Sequence, residues 1–276
     1  MKLKLLQSYL RKEKIEVVFL THYDTNLNYF TKFKPSYGFL RINTKNAALY
    51  LTSLDGNPKI ENIVVKKLDL NWVNKLKNSK IKRIGINKSQ INVDFFEKLK
   101  KIYPKAKFVD IAEKLAKLRV IKDQIEINNI RQACKITDNA FNELLKSISK
   151  LKTESEVASF LESRMKEKGA ELAFPVTVAS GKNSAIPHHP TSNKKLGKGF
   201  LLLDFGAKYN GYCADMSRML YLGKPSSEEL KWYNSLLEIQ EEAIKKISEN
   251  KLFCELDEFV RKSLGMNSSY FIHSLG

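Results

Sequence analysis

The stretch that most constrains the fold is residues 201–218, Leu-Leu-Leu-Asp-Phe-Gly-Ala-Lys-Tyr-Asn-Gly-Tyr-Cys-Ala-Asp-Met-Ser-Arg. An Asn-Gly pair between two runs rich in apolar and β-forming residues is the strongest short-range signal for a hairpin with a type I′ turn. With Asn210 and Gly211 as the turn, Tyr209 faces Tyr212, Ala207 faces Ala214 and Gly206 faces Asp215. Asp204 lies two positions from Gly206, so it shares a face with Asp215 and sits diagonally from it. Such neighbours stand about 7–8 Å apart, close enough to converge on one site.

Asp204 follows three leucines, which predicts that it enters a buried region, where a lone carboxylate is costly. Two carboxylates on one buried face repel unless they share a proton or a cation lies between them. A pair of divalent metals about 3.5–4 Å apart answers that need. The residues also permit a surface hairpin with two unrelated aspartates, or an Asp215–Arg218 ion pair. Cys213 is expected opposite Lys208 on the other face, in a packing role, and Arg218 in a charge-pairing role.

The rest of the chain has the texture of a mixed α/β protein. In the first 115 residues, helices are expected over 2–14 and 93–102, with strands over 15–21, 47–52 and 84–86. His22 and Asp24 near the first strand end read as an ordinary turn rather than as ligands. A different texture begins near Ile111. Residues 123–149 form one apolar helical stripe, and Thr153-x-x-Glu156 opens a second helix that Gly169 ends. Residues 172–180 read as an edge or bulged strand because Pro175 interrupts them. A loop over 181–199 precedes the hairpin, and helices are expected from Ser226-x-x-Glu229 to about Asn250 and over 254–264.

Composition excludes several classes. The formal net charge is +18, but residues 1–120 hold 26 Lys and Arg against 10 Asp and Glu, while the remainder holds 22 against 20. The excess is lysine scattered singly among Ile and Asn, the pattern of a solvated surface, so nucleic acid is disfavoured as a partner. Three cysteines without metal-finger spacing fit neither a disulfide scaffold nor a zinc finger. No apolar run reaches membrane-spanning length, and a cytoplasmic protein is expected.

From Arg119 onward the sequence resembles the metallopeptidases of the pita-bread fold, in the Xaa-Pro dipeptidase (prolidase) and Xaa-Pro aminopeptidase branch. The resemblance rests on Leu118-Arg-Val-Ile-Lys-Asp-Gln-Ile-Glu126, Ser180-Gly-Lys-Asn-Ser-Ala-Ile-Pro-His-His-Pro190, Leu203-Asp-Phe-Gly-Ala207, Gly211-Tyr-Cys-Ala-Asp-Met-Ser-Arg218 and Phe271-Ile-His-Ser-Leu-Gly276. Residues 1–115 are similar, by pattern, to the creatinase-type N-terminal domain of the same family. The implied organisation is that domain followed, over 116–276, by the first half of a pita-bread domain.

The resemblance implies that Asp204 and Asp215 are metal ligands, Asp204 terminal and Asp215 bridging. It implies substrate-pocket roles for His188 and His273, with His189 incidental. Two divalent ions are implied, manganese or cobalt ahead of zinc, and the reaction is hydrolysis of the peptide bond preceding proline. A third ligand, a histidine, and two glutamates are expected beyond Gly276, so the chain by itself is expected to be inactive and to bind metal weakly. A strand is expected over 269–276. The expected partners are a proline-containing peptide and a second copy of the chain; for the remaining half the sequence leaves three readings open, a truncated sequence, a decayed gene and a separate polypeptide. A non-catalytic pita-bread protein that binds peptides is the alternative reading, and the paired aspartates count against it and against creatinase.

Overall fold

The computed structural model describes residues 2–69, 72–77, 80–248 and 251–273. The chain divides into two compact units, Met1–Ile127 and Asn128–Gly276.

In the first unit, helix α1 (Lys2–Lys12) leads into β1 (Val17–Thr21), every residue of which is buried. Its hydrophobic run is continuous because both faces of the strand are covered. Val18 and Leu20 pack with Leu6 and Leu10 of α1 and with Leu115 and Leu118 of α5 (Ala112–Val120). Val17 and Phe19 point the other way, toward Phe95, Leu99 and Ile102 of α4 (Val93–Ile102). Around β1 a six-stranded sheet has the order β4-β3-β2-β1-β5-β6, with β2 at Gly38–Asn43, β3 at Ala47–Leu51, β4 at Val64–Lys67, β5 at Arg83–Ile86 and β6 at Lys107–Asp110. The β1–β2–β3 run is antiparallel, whereas β4, β5 and β6 join in parallel. Helices α2 (Thr25–Thr31) and α3 (Trp72–Leu76) complete the unit. Asp24 caps α2, accepting hydrogen bonds from the Asn26 backbone N–H at 2.8 Å and from Asn87 Nδ2 at 2.9 Å. Its role is structural, as the turn reading expects.

The second unit begins on α6 (Gln124–Ser147) and α7 (Glu154–Glu167). Thr153 caps α7 through the Glu156 N–H at 3.2 Å, but the Glu156 carboxylate takes the Lys152 N–H at 2.6 Å, one residue before the reciprocal partner that the capping pattern predicts. Ile136, Ala140 and Leu144 of α6 and Val157, Leu161 and Met165 of α7 pack on Val178, Leu201, Leu203 and Phe205. The expected strand over 172–180 is split into β7 (Glu171–Leu172) and β8 (Thr177–Ser180), with Pro175 in the gap. The hairpin comprises β9 (Gly199–Phe205), β10 (Ala207–Tyr209), β11 (Tyr212–Cys213) and β12 (Met216–Leu222). It threads two three-stranded sheets, β12-β9-β8 and β11-β10-β7.

Helix α8 (Ser227–Lys245) opens with a complete capping box between Ser226 and Glu229. Tyr221 of β12 donates to Glu229 at 2.9 Å, tying the helix to the hairpin. Leu230, Trp232 and Leu236 on α8 remain exposed. After α9 (Phe253–Leu264) comes a short 3-10 helix, Gly265–Tyr270, where the start of a strand was expected. A strand needs a ladder partner; here the Arg261 guanidinium takes the carbonyls of Phe271 at 3.0 Å and His273 at 3.3 Å. Residues 274–276 of the expected strand lie outside the described residues. Among the described residues, no helix is long and apolar enough to cross a membrane.

Candidate active site

The hairpin adopts the register that Asn210-Gly211 dictates. Both turn residues have positive φ, 49° and 83°, as a type I′ turn requires. Tyr209 pairs with Tyr212 and Lys208 with Cys213; beyond the bend, Phe205 pairs with Met216 and Ser217 with Asp204. The same count places Gly206 opposite Asp215. A Cβ on Gly206 would lie 1.9 Å from the Ala214 carbonyl oxygen and 3.3 Å from the Phe174 ring. Glycine is therefore the residue that lets the two arms close at the level of Asp215.

Strand β9 alternates strictly. Leu201, Leu203 and Phe205 point into the core, and Phe200, Leu202 and Asp204 stand on the half-buried face. The expectation of a buried Asp204 is corrected here: Leu203 and Phe205, which flank it, supply the core on the opposite face, and Asp204 is half-buried while Asp215 is exposed. Partial burial still pushes the Asp204 carboxyl above its ordinary value, and the Asp215 charge adds to that rise. Ser217, whose hydroxyl donates to Asp204 at 3.4 Å, and the nearby His188 act in the opposite direction. The two aspartates and His188 thus share one electrostatic environment.

Two neighbouring expectations change. Cys213 is exposed rather than packed, although its pairing with Lys208 is as counted; partial enclosure and the charges of Glu171 and Asp215 raise its thiol pKa despite Lys208, which does not suit a nucleophile. Arg218 has no carboxylate partner among the described residues. It donates to the Ser217 carbonyl at 2.9 Å and lies 5.9 Å from the centre of the Phe141 ring.

His188 is exposed on the 181–199 loop, and its neighbour His189 is buried. The sequence takes His189 as incidental; the structure gives it a structural part, because its Nε2 lies 2.9 Å from the carboxylate of Glu154, which is 0% exposed. Glu154 is a residue the sequence reading passes over. Burial alone would raise its pKa, but hydrogen bonds from His189, Ser180, Asn183 and Ser192 outweigh that and hold it at about 2. His273, exposed after the 3-10 helix, lies with its ring centre 5.5 Å from that of Phe271, the two rings tilted by 50°.

Two carboxylates on one hairpin face, one of them half-desolvated and raised by the other, form the donor chemistry of a hard divalent cation. The fit is partial: among the described residues, no group of three or more His, Cys, Asp or Glu side chains is placed to hold a metal.

Residues 128–276 match the model of metallopeptidase family M24, and residues 2–121 match that of the creatinase/prolidase N-terminal domain. The chain is 33% identical over its full length to the Xaa-Pro dipeptidase of Pyrococcus horikoshii, covering 80% of that protein. The crystal structure of the prolidase from the same organism superposes with a TM-score of 0.90 at 31% identity, over 99% of this chain and 80% of that one. An X-Pro aminopeptidase structure from Thermotoga maritima gives a TM-score of 0.82 at 28% identity, over 92% of this chain and 77% of that one. The pita-bread expectation and the two-carboxylate hairpin thus meet in one conclusion: this chain is a member of metallopeptidase family M24, with a creatinase/prolidase-type N-terminal domain, and works with divalent metal ions.

Proposed function

We propose that the protein hydrolyses the peptide bond preceding proline, acting as an Xaa-Pro peptidase, with Asp204 and Asp215 as metal ligands. The observation that carries this reading is the placement of both carboxylates on one face of a bent hairpin, within electrostatic reach of His188. The names of the relatives support the substrate class. A bound pair of divalent ions would supply Lewis-acid polarisation of the scissile carbonyl. The remaining work falls to the chain. Asp204 and Asp215 would hold the cations, which would relieve the repulsion between the two carboxylates. Ser217 orients one Asp204 oxygen through its hydroxyl. His188, exposed on its loop, offers a ring nitrogen to the substrate, and His273 belongs to the same pocket by resemblance. Carboxylate ligation favours manganese or cobalt over a thiolate-seeking metal.

The same reading places the protein in the cytoplasm, which three exposed free cysteines support. It also includes a second copy of the chain as partner, supported by the exposed apolar side chains of α8.

The test compares Xaa-Pro and Xaa-Ala dipeptides in manganese buffer, with the native protein and with Asp204→Asn. Cleavage is expected of the Xaa-Pro peptide alone and is lost in Asp204→Asn. Equal cleavage of both peptides would overturn the substrate assignment.

A further inference from the structure

Glu154 lies at the first turn of α7, where the positive end of the helix favours an anion. It is nevertheless an expensive place for a carboxylate, fully buried and served by no lysine or arginine among the hydrogen bonds described. Its oxygens are instead saturated by one loop. Oε1 accepts the Ser180 backbone N–H at 2.9 Å, where β8 ends, and Asn183 Nδ2 at 2.8 Å. Oε2 accepts His189 Nε2 at 2.9 Å, the Ser192 hydroxyl at 2.8 Å and the Ser192 N–H at 3.3 Å.

These contacts bracket the exposed His188 between Asn183 and His189. The returning limb of the loop then runs back along the edge of β8. There the Thr191 hydroxyl accepts the Val178 N–H at 2.8 Å and donates to the Val176 carbonyl at 3.1 Å. Those two residues flank Thr177, the ladder partner of Asp204. The loop therefore brings Thr191, three residues after His188, to the level of Asp204's ladder partner, and the charge of His188 acts on the Asp204 carboxyl.

We propose that Glu154 is the positioning residue of this centre: its buried carboxylate fixes the 180–192 arch so that His188 stands beside Asp204. The inference rests on the reading of His188 as a group that meets the substrate. A single anion accepting from four residues of one arch leaves the histidine few alternative positions, which is the preorganisation a substrate-contacting group requires.

The test uses the full chain with 13C-labelled histidine rings, which gives four ring signals at a fixed pH of about 7.5, near neutrality as in the cell. Asp204→Asn in the otherwise native chain is expected to move the His188 signal and leave His22 in place. In the Glu154→Gln background, where an amide N–H meets donors, that response is expected to fall at least twofold. A Glu154 that merely stabilised the fold would lower Tm and leave the response of the folded protein unchanged. An undiminished response in Glu154→Gln, or no response of His188 in the native background, overturns the proposal. Should Glu154→Gln fail to fold, Asn183→Ala and Ser192→Ala each remove one arm and are expected to weaken the response in part; an undiminished response in both overturns it equally. Failure of the Xaa-Pro reading shows separately, as loss of proline selectivity with the ring coupling intact.

Discussion

Strands β1 and β9 are both apolar runs at the centre of a sheet, yet they do different things. In β1 both faces are covered, α1 and α5 on one side and α4 on the other, so Val17 to Thr21 are all buried. A charge there would have no outlet to water. In β9 one face packs on α6 and α7, while the other stays half-buried and carries Asp204. The same period-two geometry therefore builds a closed scaffold in one unit and a chemical surface in the other. A half-covered sheet can hold a carboxylate that is desolvated enough to want a cation and open enough to receive one.

The contrast can be broken most forcefully at the bend. Gly206→Ala should cost about 4 kcal/mol, measured by urea unfolding, because its methyl group would meet a backbone carbonyl that cannot move alone. An equal loss from Leu20→Ala in β1 would leave metal binding intact, whereas Gly206→Ala should abolish it.

Glu154→Ala should cost about 3 kcal/mol, since five donor contacts are stranded. Its sign with pH is distinct. A carboxyl held at about 2 contributes stability above its ordinary value of about 4.5 and loses it as pH falls toward 2. The native protein should lose stability over that window by an amount the variant does not. Acid unfolding monitored by circular dichroism distinguishes the two.

Asp204 runs the other way. Its pKa is raised, so its contribution to stability is present at low pH and lost as pH rises through the raised value. In metal-free buffer near neutrality, Asp204→Asn should stabilise the chain by about 0.5 kcal/mol after screening by water. Added manganese should reverse the ranking by stabilising the native chain alone. The smallest effect belongs to the scaffold surface. Lys98→Ala breaks an exposed pair with Asp94 and should change stability by less than about 0.5 kcal/mol, with no effect on metal binding.

The hairpin was legible because Asn210-Gly211 sets both turn type and register, and register decides which side chains share a face. Helices α4, α7 and α9 were legible from apolar spacing and caps. The strands β4 and β6 were not. Val64–Lys67 and Lys107–Asp110 are four-residue segments with lysines, and partners in the sheet rather than local preference make them strands. Nor was Glu154 visible, because a glutamate in the first turn of a helix reads as a solvated charge favouring the dipole. Its burial is created by the loop to residue 192, folding onto it from up to 38 positions away. The sole sequence trace of that clamp is a pair of adjacent histidines, and the structure assigns them opposite environments: His188 outward, His189 inward.

The central claim, that the face shared by Asp204 and Asp215 is a divalent-metal site, is tested most directly by manganese titration calorimetry on the native chain, Asp204→Asn and Asp215→Asn. Weak but measurable binding is predicted for the native chain, with each substitution weakening it at least tenfold, about 1.4 kcal/mol. Native-like manganese affinity in both variants would contradict the account.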